Sequence, residues 1–278
     1  MAALTYAFDP AQFDDGLADR FVVLAADAET KAFVDTERVR RHGRMRWLAR
    51  GVARAGLGAF SANALFDTYP LFLLSSPQWA DLLDGHTGGR LLDIGAAAGH
   101  VTSRLAPLFT DLVATDVSRP MVRRLRQRGL PGLHIDVSSE PVPGGPFDVV
   151  ALLNVLDRCA RPRAMLAAAN AATADDGALV ISMPLPYDPC WYDGPVERPP
   201  LQQLPVVGAN WKDAAESLVA LLGEHGLRVE ALTRAPYISG GDRQTALYSL
   251  DTVIVVATRA VRSRGLLHAH REAAPSRR

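Results

Sequence analysis

From Arg90 onward short apolar runs alternate with stretches of helical spacing, and this alternation restricts the folds open to the chain more than any other feature. It predicts strands joined by crossover helices, and therefore an α/β architecture with a mostly parallel sheet and helices on both faces. Strands are expected at Leu91–Ile94, Leu112–Thr115, Leu133–Asp136, Phe147–Leu153 and Ala178–Pro184, with helices over Val101–Leu108, Pro120–Arg128 and Pro162–Ala172. Phe147–Leu153 is almost wholly apolar, as a strand covered on both faces must be. The stretch from Pro184 to Gly208 is rich in proline and carries Tyr187, Trp191 and Tyr192. It is too irregular for a core element, and its length suits a lid or binding loop. Trp211–Gly226 then reads as a helix, and Leu227–Thr233 and Thr252–Thr258 as a terminal antiparallel pair, which brings the sheet to seven strands. The loop expected between them holds Pro236-Tyr237 and Ser239-Gly240-Gly241-Asp242.

The main domain is expected to span residues 69–260, after an N-terminal helical extension (1–68) and before a flexible basic tail (261–278). Between Phe13 and Phe60 the apolar spacing suggests two or three amphipathic helices. The arginines at 38, 40, 41, 44, 46 and 50 read as a solvated helix face in preference to a surface for an acidic partner. Ser75-Ser76-Pro77 is a helix start for the stretch to Leu83. Lys plus Arg and Asp plus Glu both number 30, so no net field draws in nucleic acid or an anionic membrane, and neither is expected as a partner. With only Cys159 and Cys190, a disulfide framework is not expected. His42, His86, His100, His134 and His225 lack metal-ligand spacing, so no metal is expected. The first residues do not read as a basic start followed by an apolar run, and the expected location is cytoplasmic.

Leu91-Leu92-Asp93-Ile94-Gly95-Ala96-Ala97-Ala98-Gly99 is a strand running into a turn of small residues ahead of a helix. Small residues let a ligand approach the backbone, and the helix start presents free N–H groups. Asp116 ends the next strand, where a carboxylate can accept from both hydroxyls of a ribose. These features suit a dinucleotide or S-adenosylmethionine alike. Asp93 at the end of the first strand, Ser118 and Met121 after the second and Asn154 closing the fourth favour the latter.

Several longer segments carry a closer likeness. Leu91-Leu92-Asp93-Ile94-Gly95, Ala114-Thr115-Asp116, Leu153-Asn154-Val155-Leu156-Asp157-Arg158-Cys159, Leu185-Pro186-Tyr187, Gly208-Ala209-Asn210-Trp211 and Thr233-Arg234-Ala235-Pro236-Tyr237-Ile238 resemble the DREV, or methyltransferase-like protein 9, family. The resemblance implies a Rossmann-like class I methyltransferase using S-adenosylmethionine. Its animal members methylate the π nitrogen of histidine in His-x-His sequences. It further implies that Asp116, Asn154 and Tyr237 bind the cofactor, and that Asn154 and Asp157 stand near the target imidazole. Asp93, Gly95, Gly99, Val117 and Asp136 complete the expected cofactor set. Asp157 is the candidate acceptor for the imidazole τ N–H; the lesser alternative is a helix N-terminal carboxylate that satisfies backbone donors. Asn154 could also cap a loop, Asp136 hold a turn, and Tyr237 be a core tyrosine.

The turn departs from the family's usual Gly-Ala-Gly-Asp-Gly, with Ala97 for the middle glycine and Ala98 for the aspartate. Ala97 costs little where φ is negative, and narrows the approach to the cofactor. The chain also holds a His-x-His sequence of its own, His268-Ala269-His270, a candidate for self-methylation. A methyltransferase acting on a small molecule or modified peptide, or a scaffold that binds cofactor without catalysis, are the alternative readings.

Overall fold

The computed structural model describes residues 4–40, 69–242 and 244–260. The arginines from Arg41 to Arg50, the expected helices beyond Arg40 and the His268-Ala269-His270 tail lie outside the described residues.

Four short elements open the described fold: a 3-10 turn (Pro10–Gln12), α1 (Asp15–Ala18), α2 (Ala28–Val39) and β1 (Leu71–Phe72). There follow α3 (Ser76–Leu82), β2 (Arg90–Ile94), α4 (Thr102–Leu105), β3 (Asp111–Asp116), α5 (Arg119–Gln127), β4 (Gly132–His134), β5 (Phe147–Leu153) and α6 (Pro162–Ala172). β6 (Thr173–Pro184), β7 (Trp191–Asp193), β8 (Val196–Arg198), α7 (Trp211–Glu224), β9 (Leu227–Gly240) and β10 (Leu247–Arg259) complete it. The main sheet runs β1-β9-β10-β6-β5-β2-β3-β4. Its β6-β5-β2-β3-β4 half is parallel, and β10, β9 and β1 add antiparallel pairings. The seven expected strands are present, and the two-residue β1 pairs with β9 at the edge as an eighth.

β2 is flanked by β3 on one side and β5 on the other, so the strand order reverses there. Crossovers leave the two strands in opposite directions at such a point, opening a crevice beyond their carboxyl ends. Buried residues cover both faces of the sheet, with Leu92, Val150 and Leu152 in one cluster and Leu91, Val149 and Ala151 in another. This is the packing that the apolar β5 sequence predicts.

The N-terminal segment contributes to these same clusters through Phe13 and Leu17 on one face and Tyr6 and Leu24 on the other. Phe8, Phe13, Phe21 and Trp211 form an aromatic group with centroids 4.7–6.4 Å apart. Asp27 joins two helix starts, accepting from the Thr30 N–H at the head of α2 and from the Ser75 hydroxyl. Ser75 is in turn the N-cap of α3, in a capping box with Gln78. A cap of this kind contributes about 1 kcal/mol.

The last hairpin differs most from expectation. β9 and β10 were expected to end at Thr233 and begin at Thr252; instead they continue to Gly240 and back from Leu247. Since Thr252 pairs with Pro184 at the end of β6, the extra residues carry the hairpin past the carboxyl edge of the parallel strands. Pro236, Ser239 and Gly240 are turn-like residues locally, and partners distant in sequence, β1 and β10, hold them extended. The Val101–Leu108 helix is also broken, into α4 and a 3-10 turn at Ala106–Leu108 where Pro107 intervenes. No helix among the described residues is long and apolar enough to cross a membrane.

Candidate active site

A cavity of about 620 Å³ opens at the carboxyl edge of the sheet, over the crevice where the strand order reverses. Of the residues singled out in the sequence, Gly95, Asp116, Val117, Asp136, Asn154, Asp157 and Tyr237 line it. Asp93 and Gly99 do not, and both support the turn from behind. Asp93 is 2% exposed, and its Oδ2 accepts from the Thr102 hydroxyl at 2.6 Å, fastening the turn to the start of α4. A Cβ on Gly99 would lie 2.6 Å from Leu130 Cδ1 and 2.9 Å from Leu125 Cδ2. That glycine therefore serves close packing and not an approach to ligand.

Gly95 has φ +72° and faces Val155, whose Cγ2 would sit 2.7 Å from an added Cβ. Only a residue without a side chain lets the tips of β2 and β5 close together at this point. Ala97 has φ +49°, so the condition under which alanine would be harmless is not met; the turn holds an L-residue in the left-handed region. Its N–H donates to Asp116 Oδ2 at 3.0 Å, while the Ser118 N–H donates to Oδ1 at 2.7 Å. Burial nevertheless dominates at Asp116 and pushes its carboxyl up to about 6. Asp93, buried beneath it, is pushed up to about 7, with the Asp116 charge adding to the effect of burial. Asp136 Oδ1 accepts from both the N–H and the hydroxyl of Ser138, so its turn-holding role is realised at the cavity wall. Val117 is exposed, and its carbonyl lies 3.0 Å from His134 Nε2.

The opposite end of the cavity belongs to the tip of β5. Asn154 has φ +55°, a conformation asparagine tolerates better than most residues, and its backbone and side chain are both tied to Ser182 of β6. Ser182 donates to Asn154 Oδ1 at 2.7 Å, and the Asn154 amide faces the Tyr237 hydroxyl. Asp157, 3% exposed, follows in a turn. Its Oδ2 lies 3.5 Å from Arg158 Nη1, while Oδ1 is buried and unpartnered. The helix-cap alternative does not apply, because α6 begins at Pro162 with Arg161 as its N-cap. Burial raises the Asp157 pKa against the lowering effect of Arg158. Tyr237 arrives on the overshooting part of β9, and burial followed by the Asp157 charge raises its hydroxyl pKa, opposed by a hydrogen bond with Asn154.

Other residues at the cavity were passed over or left without a role: Tyr69, His100, Arg158 and the aromatic pair Trp191 and Tyr192. The pair did signal itself as aromatics in a long irregular segment. Tyr69 carried no signal, since it is brought there by the pairing of the adjacent β1 with β9. Among the described residues no group of three His, Cys, Asp or Glu side chains could hold a metal ion.

The DREV methyltransferase family matches residues 6–259, nearly the whole described fold. The chain belongs to that family. Solved structures similar to it include the N-methyltransferase NodS of Bradyrhizobium japonicum WM9 with S-adenosyl-L-homocysteine, at 18% identity over 66% of this chain and 85% of that one, TM-score 0.44. The magnesium protoporphyrin IX methyltransferase of Synechocystis PCC 6803 shares 17% identity over 66% of this chain and 80% of its own, TM-score 0.44. A SAM-dependent methyltransferase of Leishmania major shares 12% over 84% and 85%, TM-score 0.47. Membership of the DREV family makes this chain a methyltransferase, and its cofactor is S-adenosylmethionine. Its residues fit that cofactor: a side-chain-free turn at Gly95, a carboxylate at the end of β3 and a cavity of adequate size meet at the reversal of strand order.

Proposed function

We propose that this methyltransferase transfers the methyl group to the π nitrogen of a histidine in a His-x-His sequence of a protein substrate. The observation that carries the reading is Asp157: a buried carboxylate with Oδ1 unpartnered, in the same cavity as Asp116 and Asn154. An unpaired buried carboxylate oxygen calls for a donor, and a substrate N–H that acquires positive charge as it reacts suits it best.

Bound S-adenosylmethionine supplies a methyl sulfonium, electrophilic enough that a neutral nitrogen displaces the thioether. The residues of this chain then have three tasks. Asp116 accepts from the ribose hydroxyls and Gly95 allows close approach, which together fix the cofactor end. Asp157 Oδ1 accepts the τ N–H of the acceptor imidazole. With the proton held on τ, the π nitrogen has its lone pair free to attack. Free histidine titrates at roughly 6.5, so the neutral ring predominates near pH 7 and no strong base is required. Methylation at the π nitrogen would leave the ring cationic against the Asp157 carboxylate until the τ proton is lost to solvent. Low dielectric makes that pairing stronger in the transition state than in the ground state. Asn154 stands at the ring, and Tyr237 lies with the cofactor.

A short His-Ala-His peptide incubated with enzyme and S-adenosylmethionine should gain a methyl mass, with amino-acid analysis returning π-methylhistidine. A τ-methylated product would overturn the assignment of Asp157. No product with the cofactor demonstrably bound would point to a small-molecule or modified-peptide acceptor, and no binding at all to a scaffold.

A further inference from the structure

The segment after β6 returns over the cavity as the β7–β8 hairpin, which brings Trp191 and Tyr192 to its wall. This hairpin has little burial of its own: Val196, Glu197 and Arg198 are all exposed. It is tied internally by Arg198 to Asp193 at 3.0 Å, a solvent-screened pair that contributes little. Its firm attachment is at its root. Arg158 Nη1 lies 3.0 Å from the Asp188 carbonyl, 3.0 Å from the Asp157 carbonyl and 3.4 Å from Cys190 Sγ, acceptors that share its two hydrogens. The same nitrogen stands 3.5 Å from Asp157 Oδ2. From the other side the Cys190 N–H donates to the Asp157 carbonyl at 3.0 Å. One guanidinium therefore touches both the root of the hairpin and both polar ends of Asp157.

We propose that Arg158 is a positioning residue that clamps the Trp191–Tyr192 hairpin over the acceptor end of the cavity and engages Asp157 Oδ2, leaving Oδ1 to the acceptor. The proposal rests on the reading of Asp157 as the acceptor's partner, but the clamp is measurable without any acceptor. A charge-assisted hydrogen bond is roughly twice as strong as a neutral one. All these contacts run through Nη1, which the rigid guanidinium plane holds in one place, where lysine presents a point charge on a flexible stem. Arg158→Lys therefore keeps the charge and gives up its fixed position, while Arg158→Gln gives up both.

The groups that face Asp157 are Arg158, Cys159, Tyr187 and Cys190 from the β5 tip and the following segment, and Tyr237 from β9. Of these Arg158 carries the positive charge and lowers the Asp157 pKa. Loss of that charge raises it further, so the acid limb of the rate profile moves to higher pH.

The test has two arms. In hydrogen exchange of the full chain without acceptor, Arg158→Gln and Arg158→Lys should speed the amides of residues 188–198 by about tenfold or more, leaving residues 95–99 unchanged. Unaltered exchange in the hairpin of both variants would overturn the clamp. In the second arm, on the His-Ala-His peptide, Arg158→Gln should raise KM by about tenfold and shift the acid limb of kcat/KM upward, with S-adenosylhomocysteine affinity held within about twofold. Arg158→Lys should raise KM with the limb in its wild-type place. An unmoved limb in Arg158→Gln, or a loss of cofactor affinity equal to the loss in peptide KM, would overturn the positioning of Asp157. Failure of the wild-type enzyme to methylate the peptide would sink the histidine reading while the exchange arm still decides the clamp.

Discussion

At the cofactor end of the cavity, Asp116 and Asp136 arrive with carboxylate oxygens already engaged by the backbone and hydroxyls of their own turns. At the β5 tip, the proposed acceptor end, Asp157 arrives with Oδ1 buried and unpaired. The fold sets the first pair in place before any ligand binds; on the proposed reading Asp157 is completed by what enters. A buried polar atom left unpaired costs about 1–3 kcal/mol. Asp157 Oδ1 is such an atom at the tip of β5, and on the proposed reading the substrate N–H relieves that cost.

The contrast is broken most directly at Asp157. Asp157→Asn keeps the size and removes the charge, and its amide can turn a donor toward the acceptor N–H. The kcat on the His-Ala-His peptide should fall by about a hundredfold or more, the scale of losing one preorganised partner of developing charge. Calorimetric affinity for S-adenosylhomocysteine should be unchanged, and full turnover would end the catalytic assignment. Asp116→Ala should do the reverse. Losing two hydrogen bonds from the ribose to a charged acceptor costs about 1.5–3 kcal/mol each, so affinity for the cofactor should drop by about a hundredfold or more. Peptide KM at saturating cofactor should barely move. If either variant damaged both ends equally, the cavity would have to be treated as one coupled site.

The two ends also separate by pH. Burial raises Asp116 to about 6 and Asp93 to about 7, both above the unfolded value of 3.8. A carboxyl whose pKa rises on folding favours the folded state while protonated; that stability is complete below about 3.8 and is lost as pH rises through about 6 and 7. These two groups therefore raise the Tm of the ligand-free protein as pH falls toward about 4. The cofactor needs the ionised Asp116 as acceptor for both hydroxyls, so its affinity weakens as pH falls through about 6, approaching tenfold per unit below that value. Thermal shifts with and without S-adenosylhomocysteine across this range should show the ligand-induced increment growing with pH. An increment flat through pH 6 would remove the ionised Asp116 from cofactor binding.

How much of this was legible follows the same division. The cofactor end is assembled from residues close in sequence: a strand, a turn and a helix start, with Asp116 one strand away in a parallel register. Its pattern is readable because its geometry is local. Even so, Asp93 and Gly99 share the motif without reaching the cavity; sequence shows that a position must be small or acidic, not which way it faces. The acceptor end joins Asn154, Ser182, Arg158, Cys190 and Tyr237, brought together by β6, by the hairpin and by the overshoot of β9. Pro236, Ser239 and Gly240 look like a loop from their own propensities, and the pairing that makes them a strand spans the whole sheet. Only the family resemblance reached Tyr237. Thr233 and Arg234 of the same segment turn out to hold the N-terminal stretch, through the Val22 and Ala7 carbonyls.

The smallest expected effect probes whether the cofactor end is as settled as its hydrogen bonds suggest. Ala97 sits at φ +49°, where an L-residue pays about 1–2 kcal/mol. Ala97→Gly removes that strain and returns about 0.4–1 kcal/mol of chain freedom to the unfolded state. The net stabilisation is about 0.5–1 kcal/mol, a rise of a few degrees in Tm for a chain of this size. The Ala97 N–H is one of the two that hold Asp116, at 3.0 Å, so glycine must keep this bond while relaxing the turn around it. Affinity for S-adenosylhomocysteine should then tighten by no more than about fivefold, since the removed methyl also widens the approach to the cofactor. A lower Tm with weaker binding would mean that the alanine stiffens the turn more than it strains it, and that rigidity at Asp116 depends on the residue where other members of the family carry glycine.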